Sequence, residues 1–197
     1  RIVGETGGKD FVFVHASAEV EATAVGLVRG AFEYQGQKCS AASRAYVPAS
    51  LWARLRERVV ALAESLRMGP VEDFSVFLGA LIDGAAYERV RGYVDLARAS
   101  GDCRILTGGR CDGAEGWFVA PTVVETDDPR HRLMQEELFG PVLAVFVVES
   151  FDAAIDIANG TAFALTGAVY SLEVCTHCAF TTIVKKRPNN INFIAIP

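Results

Sequence analysis

The sequence has 197 residues, 51% of them hydrophobic and 22% charged, a composition that excludes intrinsic disorder and supplies the material for one large core. Its 19 Lys and Arg residues against 24 Asp and Glu give a formal net charge of −5, with the basic residues scattered, so we expect no nucleic-acid partner. The longest apolar run, Val142 to Val148, is far shorter than the roughly 20 residues that span a bilayer, and we expect no membrane segment.

Strand-like and helix-like periodicities alternate along the chain, which predicts an α/β fold with a mostly parallel, twisted sheet and flanking helices. The first predicted strand is Phe11 to Val14, followed by a helix that Ser17 caps and Gly36 ends. The later predicted elements are, in chain order, a strand Arg44 to Val47, a helix that Ser50 caps and Met68 to Pro70 ends, a helix Tyr87 to Ala99, a strand Ile105 to Thr107, edge strands Trp117 to Ala120 and Thr122 to Glu125, a central buried strand Leu143 to Val148, a helix Phe151 to Asn159 and a strand Gly167 to Ser171.

Five cysteines at irregular spacing predict no disulfide framework and a reducing compartment, with the cytoplasm as the first choice and the mitochondrial matrix as the alternative. Cys175, His177 and Cys178 have the spacing of half a zinc site, but no second pair of ligands follows, so we expect no metal. The chain starts without Met and without a targeting segment, and we interpret it as a piece of a longer protein.

Three short strings contain candidate catalytic residues. In Gly36 to Ser40, Cys39 follows a helix-ending glycine and adjoins Lys38; a thiolate there can act as a nucleophile, although a buried, inert cysteine is the alternative. In Gly4 to Lys9, Glu5 precedes a glycine pair at the start of a predicted strand, where it can take part in a site; the alternative is a surface glutamate without a role. Glu136 to Pro141 places two acids and a phenylalanine before a Gly-Pro break; such an acid can bind a ribose hydroxyl, or can simply be solvated.

In this order, the three strings resemble the aldehyde dehydrogenase family. Two supporting strings, Gly116 to Thr122 and Leu165 to Ser171, extend the resemblance over most of the chain. The strings around Glu5 and Cys39 are more particular, and resemble the branch of the family that oxidises glutamate-γ-semialdehyde to glutamate in proline degradation.

By this resemblance, Cys39 is the nucleophile that attacks the aldehyde carbon, forming a thiohemiacetal whose hydride passes to NAD⁺ and leaves a thioester. Glu5 activates the water that hydrolyses the thioester, and the backbone N–H of Cys39 contributes to the oxyanion hole. Glu137 holds the nicotinamide ribose, and Phe139 packs near the nicotinamide. Ser40 is a candidate contact for the carboxylate of the substrate.

The resemblance also implies that residues 1–197 are the catalytic domain of such an enzyme, truncated at both ends, with an atypical tail at residues 172–197. It implies a small-molecule aldehyde as the partner and a homo-oligomeric full-length protein. The alternatives are another aldehyde or semialdehyde dehydrogenase, a catalytically silent fragment that folds without cofactor turnover, and a thiol esterase that uses Cys39 and Glu5 without a cofactor.

Overall fold

A twisted sheet flanked by helices organises the chain. The computed structural model describes residues 1–3, 6–163 and 165–172, together with the backbone of residues 192–196. The strands are β1 (Phe11–Val14), β2 (Arg44–Pro48), β3 (Cys103–Thr107), β4 (Cys111–Asp112), β5 (Phe118–Val119), β6 (Thr122–Thr126), β7 (Val142–Val148), β8 (Thr166–Tyr170) and β9 (Asn192–Ile196). The helices are α1 (Val20–Phe32), α2 (Ala49–Ser65), α3 (Gly84–Ala99), α4 (Arg132–Gln135) and α5 (Phe151–Ala158), with a 3₁₀ turn at Glu33–Gly36.

Among the described residues, seven strands form one sheet in the order β3-β6-β7-β2-β1-β8-β9. Every neighbouring pair is parallel except β3 with β6. The short strands β4 and β5 pair separately. The predicted fold class, a mostly parallel sheet with flanking helices, is therefore confirmed.

Each face of the sheet has its own hydrophobic core, because alternate strand residues point to opposite faces. On one face, Val12 and Val14 pack with residues of α1 and α2. On the other face, Phe11 and Phe13 pack with residues of α3 and α5. Residues of the inner strands are thus buried on both sides, as a helix-covered parallel sheet requires.

Two predicted helix caps are wrong. The cap of α1 is Glu19, whose carboxylate accepts hydrogen bonds from two backbone N–H groups of the first turn, whereas the Ser17 hydroxyl bonds to His15 Nδ1 at 2.9 Å. Ser50 does not cap α2, because that helix starts at Ala49, directly after Pro48 ends β2. In both cases the chain enters the helix from the carboxyl end of a strand.

The predicted strands lie where the sequence indicates, but one of them has a different place in the sheet order from the one expected. The strand predicted to be central, β7, lies inside the sheet between β6 and β2. β6, expected at an edge because Pro121 precedes it, is also internal, between β3 and β7. Pro121 lies just outside the ladder, so its missing N–H interrupts no pairing. The expectation of an edge strand at β6 is therefore wrong, and β3 forms that edge.

No helix among the described residues is long and apolar enough to cross a membrane. In the region of the atypical tail, only the backbone of β9 is described; it pairs in parallel with β8. The zinc-like string Cys175 to Cys178 lies outside the described residues.

Candidate functional site

The predicted site residues that the structure describes lie at the amino edge of the parallel strands. Cys39 precedes β2, Gly8 precedes β1, and the loop from Glu137 to Gly140 precedes β7. Because β1 and β7 both neighbour β2, these three loops meet. Ligand sites of open α/β sheets usually lie outside the carboxyl ends of the strands, so this site occupies the opposite edge.

The turn that carries Cys39 has unusual backbone geometry. After α1 ends, Tyr34, Gln35 and Gly36 have φ values of 57°, 57° and 64°, all in the left-handed region. For Tyr34 and Gln35 this conformation costs about 1–3 kcal/mol each, and it persists only where the surroundings hold it. Cys39 follows in an exposed turn. Its position does not fit the alternative of a buried, inert cysteine.

Gly36 is required where this turn meets the loop before β7. A Cβ atom on Gly36 would lie 2.7 Å from the carbonyl carbon of Gly140 and closer still to its oxygen, a distance that real Cβ atoms essentially never show. The two loops can therefore approach only because residue 36 is glycine, which also accepts the positive φ without cost.

Gly8 joins the turn of Cys39 to Glu137. Its N–H donates a hydrogen bond of 2.9 Å to Glu137 Oε1. A Cβ on Gly8 would lie 3.0 Å from the Cys39 carbonyl carbon, and a Cβ on Gly7 would lie 3.1 Å from Glu137 Cδ. The glycine pair thus lets the backbone pass between the Cys39 turn and the Glu137 carboxylate, bringing together three strings that are far apart in sequence.

Glu137 and Phe139 face this junction from the β7 side. Glu137 is half-buried, and Phe139 is 36% exposed with a left-handed φ of 54°. Both residues line a crevice with Gly8, Lys38 and Cys39. The crevice measures about 10 Å³, space for about one water molecule. This crevice is therefore too small to enclose an aldehyde or a dinucleotide by itself.

Lys38 does not direct its charge at Cys39. Its Nζ lies 3.1 Å from Glu33 Oε2, and Arg29 lies 2.8 Å from the other oxygen of the same carboxylate. These side-chain bonds, first that of Arg29 and then that of Lys38, lower the pKa of Glu33 below its ordinary value. The structure thus gives no support to Lys38 as the cation that activates the thiol.

A buried polar cluster that the sequence analysis missed lies beneath the junction. Lys9, Asp10 and Arg44 are each at most 3% exposed, and the Arg44 guanidinium donates to the Lys9 carbonyl and to the Tyr46 hydroxyl. Lys9 Nζ, one oxygen of Asp10 and Arg44 Nε have no hydrogen-bond partner in the described part of the protein. A charged pair directly before an apolar strand, Lys9-Asp10, was the available signal in the sequence.

Burial shifts the titration of this cluster. Removal from solvent, and secondarily the charge of Arg44, hold the pKa of Lys9 well below its ordinary value. Burial also raises the pKa of Asp10 from 3.8 to about 7, although the Thr166 N–H that donates to its carboxylate opposes the shift. Cationic Lys9 and anionic Asp10 are thus both disfavoured by the fold.

Two predicted site residues remain, Ser40 and Glu5, and the structure describes only the first of them. Ser40 is exposed beside Cys39, whereas Glu5 lies outside the described residues. In the described part of the chain, no three His, Cys, Asp or Glu side chains are grouped so that they could hold a metal ion.

Comparison of the sequence and the fold with known proteins finds a large set of relatives. Residues 1–185 match the sequence model of the Aldehyde dehydrogenase family. The mitochondrial delta-1-pyrroline-5-carboxylate dehydrogenase of Dictyostelium discoideum is 49% identical over 174 residues, which cover 87% of this chain and 31% of that protein. The chain thus spans about a third of the length of this curated relative.

Two solved structures show the same fold. A 1-pyrroline-5-carboxylate dehydrogenase from Thermus with bound NAD has a TM-score of 0.85 and 36% identity, covering 97% of this chain and 36% of that one. The gamma-glutamyl-gamma-aminobutyraldehyde dehydrogenase of Burkholderia cenocepacia has a TM-score of 0.86 and 33% identity, covering 96% of this chain and 38% of that one. Structural similarity alone therefore does not separate the two substrates that these names describe.

Proposed function

Since this chain belongs to the aldehyde dehydrogenase family, we propose that it contains the nucleophile and part of the cofactor site of an NAD-dependent enzyme that oxidises an aldehyde to a carboxylate. The observation that carries the proposal is the junction at Gly8, which contacts the Cys39 turn and donates a hydrogen bond to Glu137. It brings the exposed Cys39 thiol and the Glu137 carboxylate to the same edge of the sheet.

In the proposed reaction, the Cys39 thiolate adds to the aldehyde carbon, and the carbonyl oxygen takes up the negative charge, which the backbone N–H of Cys39 stabilises. NAD⁺, when bound, accepts the hydride from that carbon. The resulting thioester on Cys39 is then attacked by water. Glu5 takes a proton from this water, and cleavage of the carbon–sulfur bond releases the carboxylate and restores the thiolate.

The residues present fit one end of such a cofactor. The Gly8 N–H fixes one oxygen of Glu137, and a carboxylate keeps further acceptor positions for ribose hydroxyls. The partly exposed ring of Phe139 lies in the same loop and lines the same crevice as Cys39. We propose that Glu137 holds the nicotinamide ribose and that Phe139 packs beside the nicotinamide. Sequence outside these 197 residues would supply the other contacts to the dinucleotide.

For the substrate we propose glutamate-γ-semialdehyde, and Ser40, exposed beside Cys39, as a contact for its carboxylate. The support is the name of the Dictyostelium relative and its 49% identity to this chain. The alternative is another amino- or carboxyl-bearing aldehyde, as the name of the Burkholderia protein illustrates. We propose the cytoplasm as the location, or the mitochondrial matrix, in line with the mitochondrial relative, and a homo-oligomer for the complete enzyme.

Acyl transfer from p-nitrophenyl acetate tests the nucleophile without any cofactor. We expect a burst of nitrophenol from the chain, no burst from Cys39→Ala, and an unchanged burst from the matched control Cys111→Ala, since Cys111 is half-buried and burial raises its thiol pKa. Glu5→Gln should keep the burst and slow the subsequent steady state. If nitrophenol release survives in Cys39→Ala, the proposed nucleophile is wrong; no release from the unmodified chain would indicate the catalytically silent fragment.

The substrate is tested by assaying the complete protein against a panel of aldehydes with NAD⁺. We expect glutamate-γ-semialdehyde to have the highest kcat/KM, and Ser40→Ala to raise the KM for this substrate but not for aliphatic aldehydes. Equal turnover of simple aliphatic aldehydes would contradict the assignment.

A further inference from the structure

Two glutamine side chains tie the turn of Cys39 to a separate segment, residues 79–82. The Gln37 side-chain oxygen accepts a hydrogen bond of 3.0 Å from the backbone N–H of Ile82. The Gln35 amide, oriented by its partners, accepts from the Gly79 N–H at 2.7 Å and donates to the Tyr34 carbonyl at 2.9 Å. Each glutamine side chain thus accepts a backbone N–H from the segment 79–82.

The segment that receives these bonds is itself anchored to the fold. Leu78 is fully buried, and its N–H and that of Phe77 both donate to the Arg67 carbonyl. Leu81 is 4% exposed, and its N–H donates to the Trp117 carbonyl at 2.9 Å. Residues 79–82 therefore form a fixed support rather than a loose loop.

The turn needs such a support. It contains two non-glycine residues in the left-handed region, and that conformation persists only when neighbouring groups hold it. Turn hydrogen bonds lie on both sides of Cys39: the Gln37 N–H donates to the Tyr34 carbonyl and the Ala41 N–H to the Lys38 carbonyl, both at 3.1 Å. A displacement of Gln37 would thus move Cys39, two residues away.

We propose that Gln37 is a positioning residue, which holds the Cys39 thiol in its reactive place by accepting the Ile82 N–H. The inference rests on the proposed role of Cys39 as the nucleophile. Gln37 itself touches no reacting atom; it acts through the backbone of the turn. Its contribution is therefore to the rate at which Cys39 is acylated, and not to the intrinsic acidity of the thiol.

The test measures the rate of the nitrophenol burst when the 197-residue chain and three variants react with p-nitrophenyl acetate at a series of pH values. Gln37→Met removes the hydrogen-bond acceptor but keeps a side chain of similar shape. We expect the burst rate on the plateau of its pH profile to fall at least about tenfold, since a small misplacement of a reacting group can lower a rate by up to about 100-fold. Gln37→Glu keeps an acceptor, and we expect a shifted pH midpoint but a plateau near that of the unmodified chain. Ser150→Ala, which also removes one side-chain acceptor of a backbone N–H, should change neither value.

Each result separates the inference from the function on which it rests. A Gln37→Met plateau equal to that of the unmodified chain overturns the positioning role while leaving Cys39 as the nucleophile. Should Gln37→Met fail to fold by circular dichroism, the Gln37→Glu plateau decides: a tenfold loss there, in a folded protein, overturns the role of the acceptor. A burst that survives in Cys39→Ala removes the proposed function itself.

Discussion

The two edges of the sheet are built in different ways. At the carboxyl edge, strands lead into helices through regular backbone: α2 begins directly after β2, and the side chains of Glu19 and Ser150 cap α1 and α5. At the amino edge, loops approach each other so closely that glycine is needed at positions 8 and 36, and the backbone is left-handed at Tyr34 and Gln35. Regular geometry thus stabilises one edge, whereas the other edge tolerates backbone strain where the loops before β1, β2 and β7 meet.

The largest expected effect is that of Gly8→Ala. The added methyl group would overlap the Cys39 carbonyl, and relief requires the backbone of the Cys39 turn to move. We expect the acylation rate of Cys39 to fall about 100-fold, and the free energy of unfolding to fall by about 1–3 kcal/mol. The burst assay and urea unfolding measure these two quantities.

Gly92→Ala is the matched control, because Gly92 is exposed within α3 and a Cβ there has open space around it. We expect this variant to be more stable by about 0.5–1 kcal/mol, from the higher helix propensity of alanine, with no change in acylation. Equal acylation rates in Gly8→Ala and Gly92→Ala would contradict the assigned close contact at the amino edge.

The next largest expected effect is the pH dependence of stability that Asp10 causes at the amino edge. The folded-state pKa of Asp10 is about 7 against an ordinary 3.8, so the folded protein binds this proton more tightly than the unfolded chain. The contribution of Asp10 is therefore greatest below 3.8 and is lost as the pH rises toward about 7. Because relaxation of the surroundings of this buried carboxyl reduces the effect, we expect the loss to be at most about 2 kcal/mol.

Asp10→Asn isolates this contribution, since the amide oxygen still accepts the Thr166 N–H and Lys9 is present in both proteins. Urea unfolding at several pH values should show a decline between 3.8 and 7 that is shallower in Asp10→Asn. Parallel curves for the two proteins would show that Asp10 does not titrate in this window.

The smallest expected effect has the opposite sign and lies at the carboxyl edge. The backbone N–H groups of Ala22 and Glu21 donate to the exposed Glu19 carboxylate and lower its pKa below 4.5. Its contribution to stability is therefore present above this value and is lost as the pH falls through the lowered pKa. We expect Glu19→Gln to unfold at slightly lower urea near neutral pH and to show a smaller loss on acidification. An unchanged acid response would contradict the capping role of the charge.

Much of the fold was predictable from the sequence because strand and helix periodicities differ, and all of β1, β2, β7 and β8 lie where alternation or apolar runs indicate. The failures are at points that local patterns do not determine. Serine is among the preferred helix caps and glutamate is not, so the sequence indicates Ser17 where the structure has Glu19. β6 is internal because β3 pairs with its outer side in the antiparallel direction, and no local sequence pattern indicates that pairing.

The candidate site was predictable only through resemblance of its strings. Sequence order alone does not show that Gly8 contacts both the Cys39 turn and Glu137, because this requires the neighbouring positions of β1, β2 and β7. Nor does it show that Lys38 pairs with Glu33 instead of facing the thiol. These contacts arise from loop geometry, and loops lack the periodicity on which sequence interpretation depends.

The sheet order also constrains how the sheet assembles during synthesis. β1 is translated before β2 and β8 but lies between them, so one of its edges stays unpaired until residues 166–170 have been translated. The hydrogen bond from Gly8 to Glu137 likewise joins residues 129 positions apart. Such distant pairings form slowly, and open apolar edges invite aggregation. A nascent chain therefore carries its cysteine without the assembled site, and translation arrest before β8 leaves an aggregation-prone strand.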